Sequence, residues 1–334
     1  MKLAFLGYGS IARQHARALL GLRQQGRAPD LRLVGVMGRV QSSAEEFARE
    51  FDLDVVATDL ARLLERPDVE GVVICSPTDL HADQTEHALR AGKHVLCEIP
   101  LATSLADVDR LVALADQVDR RLMVCHTERY YQALLEARRR IASGALHPHA
   151  IVSRYMFFRR ENVNWVGRRR SWTDNLLWHH GCHAVDAALW LLGADQVHVS
   201  AEVALPSGNL GIPMDLAIAM RTPSDQIVSV AMSYNTHVPL HDYLIIGEET
   251  TLLFSDGELR DKDGVLVPKQ DLQDLTEPIM DQDAEFLSAV REHREPAVSG
   301  RSVRPAMAAL QTAQDTLEAR LATLGPAARH PVLP

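Results

Sequence analysis

The chain has 334 residues, of which 46% are hydrophobic and 24% charged, so it is long enough for two domains with substantial cores. Its formal net charge of −9 argues against non-specific nucleic-acid binding, which requires a broad basic face. No apolar run approaches the roughly 20 residues of a membrane-spanning helix, and the apolar stretch at the N-terminus ends at Gly7, too early for a signal peptide. We therefore expect a cytoplasmic protein whose four widely spaced cysteines are reduced thiols.

The first part of the chain alternates short apolar runs with helical patterns. The predicted strands are rich in β-branched and aliphatic residues and cover residues 2–6, 31–37, 55–57, 71–75, 94–97 and 122–125. The predicted helices have apolar residues at helical spacing and cover residues 11–22, 42–51, 60–65, 81–91 and 105–118. Strands and helices that alternate in this way predict βαβ units and a parallel sheet covered by helices.

After residue 125 the alternation ends. The remaining predicted helices cover residues 129–143, 172–192, 281–294 and 302–323, and the remaining strands cover 150–158, 197–205, 216–221, 227–235, 243–247 and 250–255. Successive strands separated by turn residues, such as Asp263-Gly264, predict an antiparallel sheet. The predicted fold class is therefore α/β, with an N-terminal Rossmann domain over 1–124 and a C-terminal α+β domain over 125–334 that contains a large open, mainly antiparallel sheet. The helix over 302–323 is a candidate to pack back on the first domain.

A glycine-rich turn joins the first predicted strand to the first helix. Residues 7–12 read Gly-Tyr-Gly-Ser-Ile-Ala, a G-x-G-x-x-A pattern. Gly7 permits the tight turn, Gly9 lets the backbone approach a pyrophosphate, and the small Ala12 lets the helix pack close to the sheet. The N–H groups at the start of the helix would bind the phosphates. We therefore predict a dinucleotide site formed by the residues of this turn: Gly7, Tyr8, Gly9, Ser10 and Ile11.

Arg39 favours NADP over NAD as the cofactor. An NAD site should have an acidic residue near the end of the second strand to bind the ribose 2′-hydroxyl. Residues 36–39 read Val-Met-Gly-Arg, with no carboxylate before Glu45. Arg39 would pair with a 2′-phosphate and stack on adenine. The alternative is a solvated arginine at a strand end, with NAD as the cofactor.

Two further strand ends carry residues that are predicted to lie near the cofactor, because ligands bind beyond the carboxyl ends of parallel strands. The first group follows the fourth strand and ends at the start of a helix: Ser76, Pro77, Thr78 and His81. The second group, Glu98 and Ile99, follows the next strand. Glu98 is predicted to orient the ribose on the nicotinamide side.

A basic segment leads directly into a histidine-rich one. Five arginines precede three histidines: Arg159, Arg160, Arg168, Arg169 and Arg170, then His179, His180 and His183. Arginines bind carboxylates bidentately and histidines exchange protons near neutral pH, so we predict an acidic small-molecule substrate and acid–base chemistry. His179 and His183 are four residues apart and share one helix face, with their Cβ atoms about 5–6 Å apart, whereas His180 points off that face and is expected to pack.

Taken in order, these motifs resemble the Gfo/Idh/MocA family of nicotinamide-dependent oxidoreductases. The resemblance covers most of the chain and rests on five patterns: G-x-G-x-x-A at 7–12, S-P-T-x-x-H at 76–81, A-G-K-H-V at 91–95, E-x-P at 98–100 and H-x-G-x-H-x-x-D at 179–186. It implies a Rossmann domain followed by an α/β domain whose open antiparallel sheet makes oligomer contacts. It therefore also implies a homodimer or homotetramer.

The chain departs from the family pattern at two positions. Ile99 replaces the lysine of the family's Glu-Lys-Pro motif, which contacts substrate and assists proton transfer, and His179 replaces an aspartate four residues before the motif histidine, His183. Both departures occur in a subgroup that resembles this chain further at 126–129, 157–160, 170–174 and 176–180. The resemblance implies NADP-dependent oxidation of the cyclic hemiacetal of a dicarboxylated semialdehyde, in the degradation of protocatechuate.

The same resemblance implies roles for the remaining residues. The base that removes the hemiacetal hydroxyl proton is His183 or His179, and the choice between them stays open. The residues implied to bind the dicarboxylate or to orient the base are Arg129, Arg159, Arg160, Arg170, Trp178 and Asp186.

Three other interpretations are considered. A zinc site would use His179 and His183, but the glutamate of H-E-x-x-H is absent and no third ligand is evident, so no metal is predicted. A sugar, an inositol or another hydroxy acid is the usual family substrate, but such enzymes usually retain the lysine lost at Ile99. A non-catalytic NADP-binding sensor would explain Ile99 but not the paired histidines.

Overall fold

The structure, a computed structural model, describes residues 1–163 and 175–324. The chain divides into two compact units: the first comprises Met1–Tyr130 and Gln273–Arg304, and the second comprises Tyr131–Leu272 and the residues from Pro305 onwards. We predicted a single boundary between residues 124 and 125. In the structure, Gln273–Arg304 also belongs to the first unit. The last helix is divided, with only its first residues, up to Arg304, in the first unit.

The first unit is built on a six-stranded parallel sheet. Its strands are β1 Lys2–Leu6, β2 Arg32–Met37, β3 Val55–Ala57, β4 Gly71–Ile74, β5 His94–Cys97 and β6 Leu122–Val124. Its helices are α1 Ser10–Gln24, α2 Gln41–Phe51, α3 Leu60–Leu64, α4 His81–Arg90, α5 Leu105–Gln117 and α8 Thr276–Arg291, with 3₁₀ turns at Thr78–Leu80 and Thr127–Tyr130. The strand order is β3-β2-β1-β4-β5-β6. This order reverses direction between β1 and β4, which creates a ligand crevice at their carboxyl ends.

The central strands of this sheet are buried on both faces. The apolar side chains of β1 from Leu3 to Leu6 and of β4 from Val72 to Ile74 have no exposed surface, as expected for a parallel sheet with helices on both sides. The helix α8, which comes from the returning segment, packs against α1. The predicted Rossmann fold is confirmed for this unit.

The second unit is built on an eight-stranded mixed sheet in the order β14-β13-β12-β11-β7-β10-β9-β8. Its strands are β7 Pro148–Met156, β8 His198–Val203, β9 Asp215–Arg221, β10 Ile227–Ser233, β11 Leu240–Gly247, β12 Thr251–Ser255, β13 Glu258–Asp261 and β14 Gly264–Val267. Its helical elements are α6 Gln132–Ala142, a π-helical turn Leu176–His180, α7 Gly181–Leu192 and most of α9, Gly300–Leu324. The mainly antiparallel sheet is confirmed.

Two features of this sheet were not predicted. The strands β7 and β10 pair in parallel, whereas every other pair in the sheet is antiparallel. The turn Asp263-Gly264 was recognised, but the short strands β13 and β14 on either side of it were not, because they lack an alternating apolar pattern. Because β7 and β10 are parallel, their carboxyl ends lie at the same edge of the sheet.

The sheet has one buried face. Along β9 and β10 the buried side chains alternate with exposed ones, and Ile218 and Val230 on the buried face have almost no exposed surface. Helix α7 is buried along most of its length. No helix among residues 1–163 and 175–324 is long and apolar enough to cross a membrane. The four cysteines all lie in these ranges, are buried and form no disulfide.

Candidate active site

The turn after β1 has a backbone that only glycine adopts easily. Gly7 has φ +106°, and a Cβ atom there would lie 2.5 Å from the carbonyl oxygen of Cys75. The Gly7 N–H donates to the Met37 carbonyl at 2.9 Å, so the turn is held between the ends of β2 and β4. A substitution at Gly7 would therefore disturb the crevice at the strand ends.

The beginning of α1 fits a pyrophosphate. Gly9 is the N-cap of the helix and no side chain caps the first turn, so the N–H groups of that turn point out of the helix end. A Cβ atom at Gly9 would meet nothing within 4 Å, which leaves open space over the backbone. Ala12 is fully buried, as close packing of helix and sheet requires. The residues around it, Ser10 and Ile11, are half-buried.

The end of β2 provides the adenosine side of the predicted site. The ring of Tyr8 covers Gly38 so closely that a Cβ atom there would lie 2.0 Å from the ring. Arg39, the next residue, is exposed. Arg13, which we did not single out from the sequence, donates to the Tyr8 carbonyl and to Glu46 and Glu50 on α2. These contacts tie the glycine turn to the helix that follows Arg39.

The loops after β4 and β5 are joined by His81. Its side chain is buried, with Nδ1 2.8 Å from the Pro100 carbonyl oxygen and Nε2 2.9 Å from the Ser76 carbonyl oxygen. The Ser76 hydroxyl donates to Gln84 at 2.6 Å, and Pro77 and Thr78 are half-buried beside it. We predicted His81 as a cofactor residue, but the structure places it between two backbone segments, where it fixes the loops of the crevice. Ile99 is 4% exposed and presents no polar side chain.

Glu98 is the partly exposed end of a line of three ionisable side chains. His15 lies on α1. Its Nε2 atom is 2.9 Å from Glu98 Oε1, and its Nδ1 atom is 2.9 Å from each carboxylate oxygen of Asp283 on α8. Burial acts to lower the pKa of His15, but the charges of Asp283 and Glu98 and the hydrogen bonds to them raise it to about 10. Burial raises the pKa of Asp283, although the charge of His15 opposes that shift. We name this trio the Asp283–His15–Glu98 line.

The predicted catalytic histidines of the second unit lie together at the start of α7. His179 is on the π-helical turn and His183 is in the first turn of α7, and their ring centroids are 6.4 Å apart. Both are half-buried. π-Helical turns occur frequently at functional sites. The structure therefore brings the two predicted histidines together, as the i, i+4 spacing predicts.

His180 lies in the same cluster rather than apart from it. Its ring centroid is 4.6 Å from that of His179 and 4.7 Å from that of Tyr155 on β7. Its Nδ1 lies 2.5 Å from the Tyr234 hydroxyl, which in turn accepts a hydrogen bond from Arg159 at 3.3 Å. Since a hydroxyl has one hydrogen, this arrangement favours donation from Tyr234 to His180. We expected only packing from His180, and the structure adds a polar contact.

The predicted arginines have different surroundings. Arg159 is buried, and its guanidinium also donates to the Asn162 side chain and the Glu161 carbonyl. Arg129 is buried in the first unit and donates to Ser302. Arg160 is exposed, with its guanidinium over the Phe158 ring. Arg170, with Arg168 and Arg169, lies outside the described residues. Arg160 therefore has solvent-exposed surface although its Nη1 donates to the carbonyls of Arg159 and Tyr234, whereas Arg159 and Arg129 are buried.

Two further predicted residues are buried. Trp178 is 3% exposed, and its indole N–H donates to Gln314 on α9 at 3.2 Å. Asp186 is 2% exposed within α7. Trp178 therefore anchors the π-helical turn to α9, and its side chain is not at the exposed surface of the cluster.

Sequence reasoning missed the aromatic side chains around the histidines. Phe157 and Tyr234 follow the parallel strands β7 and β10, and their rings are 4.9 Å apart. His241 on β11 pairs in register with Tyr155, with ring centroids 4.5 Å apart. The available signal was an aromatic or histidine residue at or just after a strand end. That signal becomes useful only when the parallel pairing of β7 and β10 is known.

Among the described residues, one group has the geometry of a metal site: His15, Glu98 and Cys125. The Cys125 sulfur lies 3.9 Å from His15 Nε2. Both nitrogens of His15 already face carboxylate oxygens at hydrogen-bond distance. Protein hydrogen bonds therefore account for this cluster without an ion.

Comparison with known proteins identifies the class. A family model described as an oxidoreductase family with an NAD-binding Rossmann fold matches residues 1–126, and one for the C-terminal domain of bacterial oxidoreductases matches 134–271. The 4-carboxy-2-hydroxymuconate-6-semialdehyde dehydrogenase of Sphingobium sp. (strain NBRC 103272 / SYK-6) is 33% identical over 299 residues, 89% of this chain and 92% of that enzyme. Fold, crevice and matches together define an NAD(P)-dependent dehydrogenase. The chain belongs to the Gfo/Idh/MocA family of oxidoreductases.

Other relatives act on polyols and sugars. The inositol 2-dehydrogenase of Rhizobium meliloti (strain 1021) is 26% identical over 254 residues, 72% of this chain and 73% of that enzyme. A solved levoglucosan dehydrogenase in complex with NADH and levoglucosan has a TM-score of 0.84 at 19% identity, covering 96% of this chain and 98% of that chain. At this identity the structural likeness supports the fold alone.

Proposed function

We propose that the chain oxidises the cyclic hemiacetal of 4-carboxy-2-hydroxymuconate-6-semialdehyde to 2-pyrone-4,6-dicarboxylate, with NADP⁺ as the oxidant. In this reaction the C–H bond at the hemiacetal carbon and the hydroxyl O–H bond break, a carbonyl forms, and hydride and proton leave separately. One observation carries the proposal. A pair of histidines, His179 and His183, lies where the family has an aspartate and a histidine, in a chain that has Ile99 in place of the family lysine.

The histidines supply the base. An imidazole that is neutral near the working pH suits removal of a hydroxyl proton, and such a base contributes roughly 10²–10⁴-fold to the rate. His179 and His183 are both half-buried, with their ring centroids 6.4 Å apart. We propose that one of these two takes the proton. His180, whose Nδ1 is bonded to Tyr234, orients its neighbours.

The arginines supply the charge that a dicarboxylate requires. A guanidinium keeps its charge and binds a carboxylate bidentately. Of the described arginines in the basic segment, Arg160 is the exposed one, so we propose that it contacts a substrate carboxylate. Arg159 contacts Tyr234 instead: its guanidinium donates to the tyrosine hydroxyl and lies over the tyrosine ring. Arg170 stays a prediction.

The cofactor would be held by the crevice of the first unit. Gly7 and Gly9 leave room for the pyrophosphate at the start of α1, and Glu98 would bind the ribose on the nicotinamide side. When bound, the oxidised nicotinamide accepts the hydride. The protein itself contributes the orientation of both partners and the acceptor for the proton.

We propose NADP over NAD because of Arg39. The exposed guanidinium stands directly after β2 and Gly38, where an acidic residue would select NAD. We expect Arg39→Ser to weaken NADPH binding roughly 10- to 100-fold, as loss of one charge-assisted contact predicts, and to leave NADH binding unchanged. Arg49→Ser, an exposed arginine on α2, is the matched control. Equal affinity of the wild type for NADPH and NADH would rule out this preference.

The substrate is tested with protocatechuate that a 4,5-dioxygenase has ring-opened immediately before the assay. We expect formation of reduced NADP to depend on both the dioxygenase product and this protein, with 2-pyrone-4,6-dicarboxylate accumulating in equal amount. The same assay is run with myo-inositol and levoglucosan as alternative substrates.

The outcomes separate the candidate functions. Turnover of a polyol without turnover of the ring-opened product would favour the inositol and sugar relatives. Tight dinucleotide binding with no turnover of any of these substrates would favour a non-catalytic sensor. Either result would contradict the proposed substrate while leaving the family assignment intact.

A further inference from the structure

The Asp283–His15–Glu98 line has a feature that burial alone does not explain. His15 and Asp283 have no exposed surface, whereas the Glu98 side chain is 14% exposed. A buried carboxylate needs one positive partner, and His15 provides it for Asp283. Charge compensation of Asp283 therefore does not explain why the Glu98 carboxylate also contacts the His15 imidazole.

The protonation of His15 follows from its partners. Ionised carboxylates only accept hydrogen bonds, and each nitrogen of His15 faces a carboxylate at 2.9 Å. With both carboxylates ionised, both nitrogens donate and His15 is an imidazolium, in agreement with its raised pKa. With His15 charged, the line has one net negative charge, and its exposed end is the Glu98 carboxylate.

The orientation of Glu98 is fixed at both of its oxygens. Oε1 accepts from His15, and Oε2 accepts from the backbone N–H of Ile99 at 3.3 Å. Glu98 directly follows β5, at the carboxyl edge of the parallel sheet where the crevice lies. A carboxylate held in this way can accept hydrogen bonds from sugar hydroxyls without first losing side-chain entropy.

We propose that His15 is a positioning residue that orients the Glu98 carboxylate toward the ribose on the nicotinamide side of the cofactor, and that Asp283 on α8 holds His15 in place. The inference rests on the proposed function, because it requires a dinucleotide in the crevice. It gives the returning segment 273–304 a role in cofactor binding. Asp283 is 268 residues away from His15 along the chain, and α8 packs against α1 to bring it there.

The test compares two ligands that differ at the end where Glu98 acts. NADPH contains the ribose on the nicotinamide side, and adenosine 2′,5′-bisphosphate lacks it. Dissociation constants for both are measured by calorimetry on the full chain for the wild type, His15→Gln, Glu98→Gln and the double variant. We expect each single variant to weaken NADPH roughly tenfold, the loss of one charge-assisted hydrogen bond, while the bisphosphate binds within twofold of the wild type.

The double variant tests whether the two residues act together. If His15 acts through Glu98, the dissociation constant of the double variant for NADPH should not exceed the larger of the two values measured for the single variants. Because His15→Gln leaves Asp283 buried without a positive partner, His15→Gln with Asp283→Asn is also measured. Asp281→Asn, on the same helix at an aspartate that is partly exposed and paired with Arg27, is the matched control.

Three results would overturn the inference. They are normal NADPH binding by His15→Gln, equal weakening of NADPH and the bisphosphate in a variant with an unchanged melting temperature, and additive effects in the double variant. Failure of the wild type to bind either NADPH or NADH would instead overturn the proposed function. The two failures are therefore distinguishable.

Discussion

The two units use histidine in opposite ways. His15 in the first unit is fully buried between two carboxylates, whose charges and hydrogen bonds raise its pKa and favour the charged form. His180 in the second unit is surrounded by aromatic rings and faces a tyrosine hydroxyl, which itself accepts from the cation of Arg159. The first arrangement stabilises a proton on the ring, whereas in the second the Nδ1 atom of His180 accepts the hydroxyl hydrogen of Tyr234.

This difference indicates a division of tasks. A histidine whose proton is fixed by two carboxylates is suited to holding a neighbour in place and unsuited to proton transfer. We propose the half-buried, grouped histidines His179 and His183 for proton exchange with a ligand. The chemistry is therefore expected in the second unit, and fixed geometry for the cofactor in the first.

The largest expected effect is a loss of kcat when the catalytic base is removed, which distinguishes proton transfer in the second unit from cofactor positioning in the first. His183→Asn and His179→Asn are compared at saturating NADP⁺ with the ring-opened product. The variant that removes the base should lower kcat roughly 10²–10⁴-fold, with NADPH affinity unchanged. His15→Gln under the same conditions should keep kcat within about threefold and raise the KM for NADP⁺.

The proposed division between the two units would be contradicted if the kcat effects of these variants were reversed. Full turnover by both His179→Asn and His183→Asn would remove these histidines as bases. A large loss of kcat in His15→Gln at saturating cofactor would place the buried line in the chemistry. His87→Gln, a histidine on α4 whose contact is with the Asp83 carbonyl, controls for the loss of an imidazole elsewhere.

Much of the crevice could be predicted, because its signals are local. Gly7 at φ +106° and the strand ends before Ser76 and Glu98 follow from short patterns and from the geometry of parallel sheets. The i, i+4 spacing likewise predicted the proximity of His179 and His183. These predictions needed no knowledge of distant parts of the chain.

The contacts that were not predicted are non-local. No pattern near His15 indicates Asp283, because their pairing depends on α8 returning to pack against α1. Trp178 was assigned to the substrate, yet it packs toward Gln314 on α9. Arg159 was predicted as a clamp, and no pattern near it predicts its hydrogen bond to Tyr234, which follows a strand 75 residues later. Each case depends on tertiary packing that a single sequence does not encode in a short pattern.

The next effect concerns stability against pH in the first unit. The pKa of His15 in the folded chain is about 10, above its ordinary value near 6.5. His15 therefore contributes stability that is fully present below pH 6.5 and is lost as the pH rises to about 10. We expect the free energy of unfolding of the wild type to fall across this window by on the order of a few kcal/mol more than that of His15→Gln.

The measurement is urea unfolding of both proteins, without cofactor, at pH 6.5 and at pH values up to 10. The ionisable groups that face His15 are Asp283, Glu98 and Cys125, and Cys75 is close to the same carboxylates. Burial raises the pKa of both thiols well above the usual range, so their effect at alkaline pH is common to the wild type and the variant. Parallel stability curves for the two proteins would contradict a proton held on His15.

The smallest expected effect tests the polar contact of the second unit. Tyr234 has no exposed surface, so Tyr234→Phe keeps the ring packing and removes the hydroxyl between Arg159 and His180. Leaving these buried groups without that partner should lower the free energy of unfolding by about 1–2 kcal/mol. The lost orientation of His180, whose ring contacts His179, should reduce kcat several-fold with cofactor affinity unchanged.

Tyr131→Phe, at a buried tyrosine stacked on Phe254, is the matched control. A Tyr234→Phe enzyme with wild-type kcat and lowered stability would make the hydroxyl structural, and would confine the catalytic role of the cluster to His179 and His183.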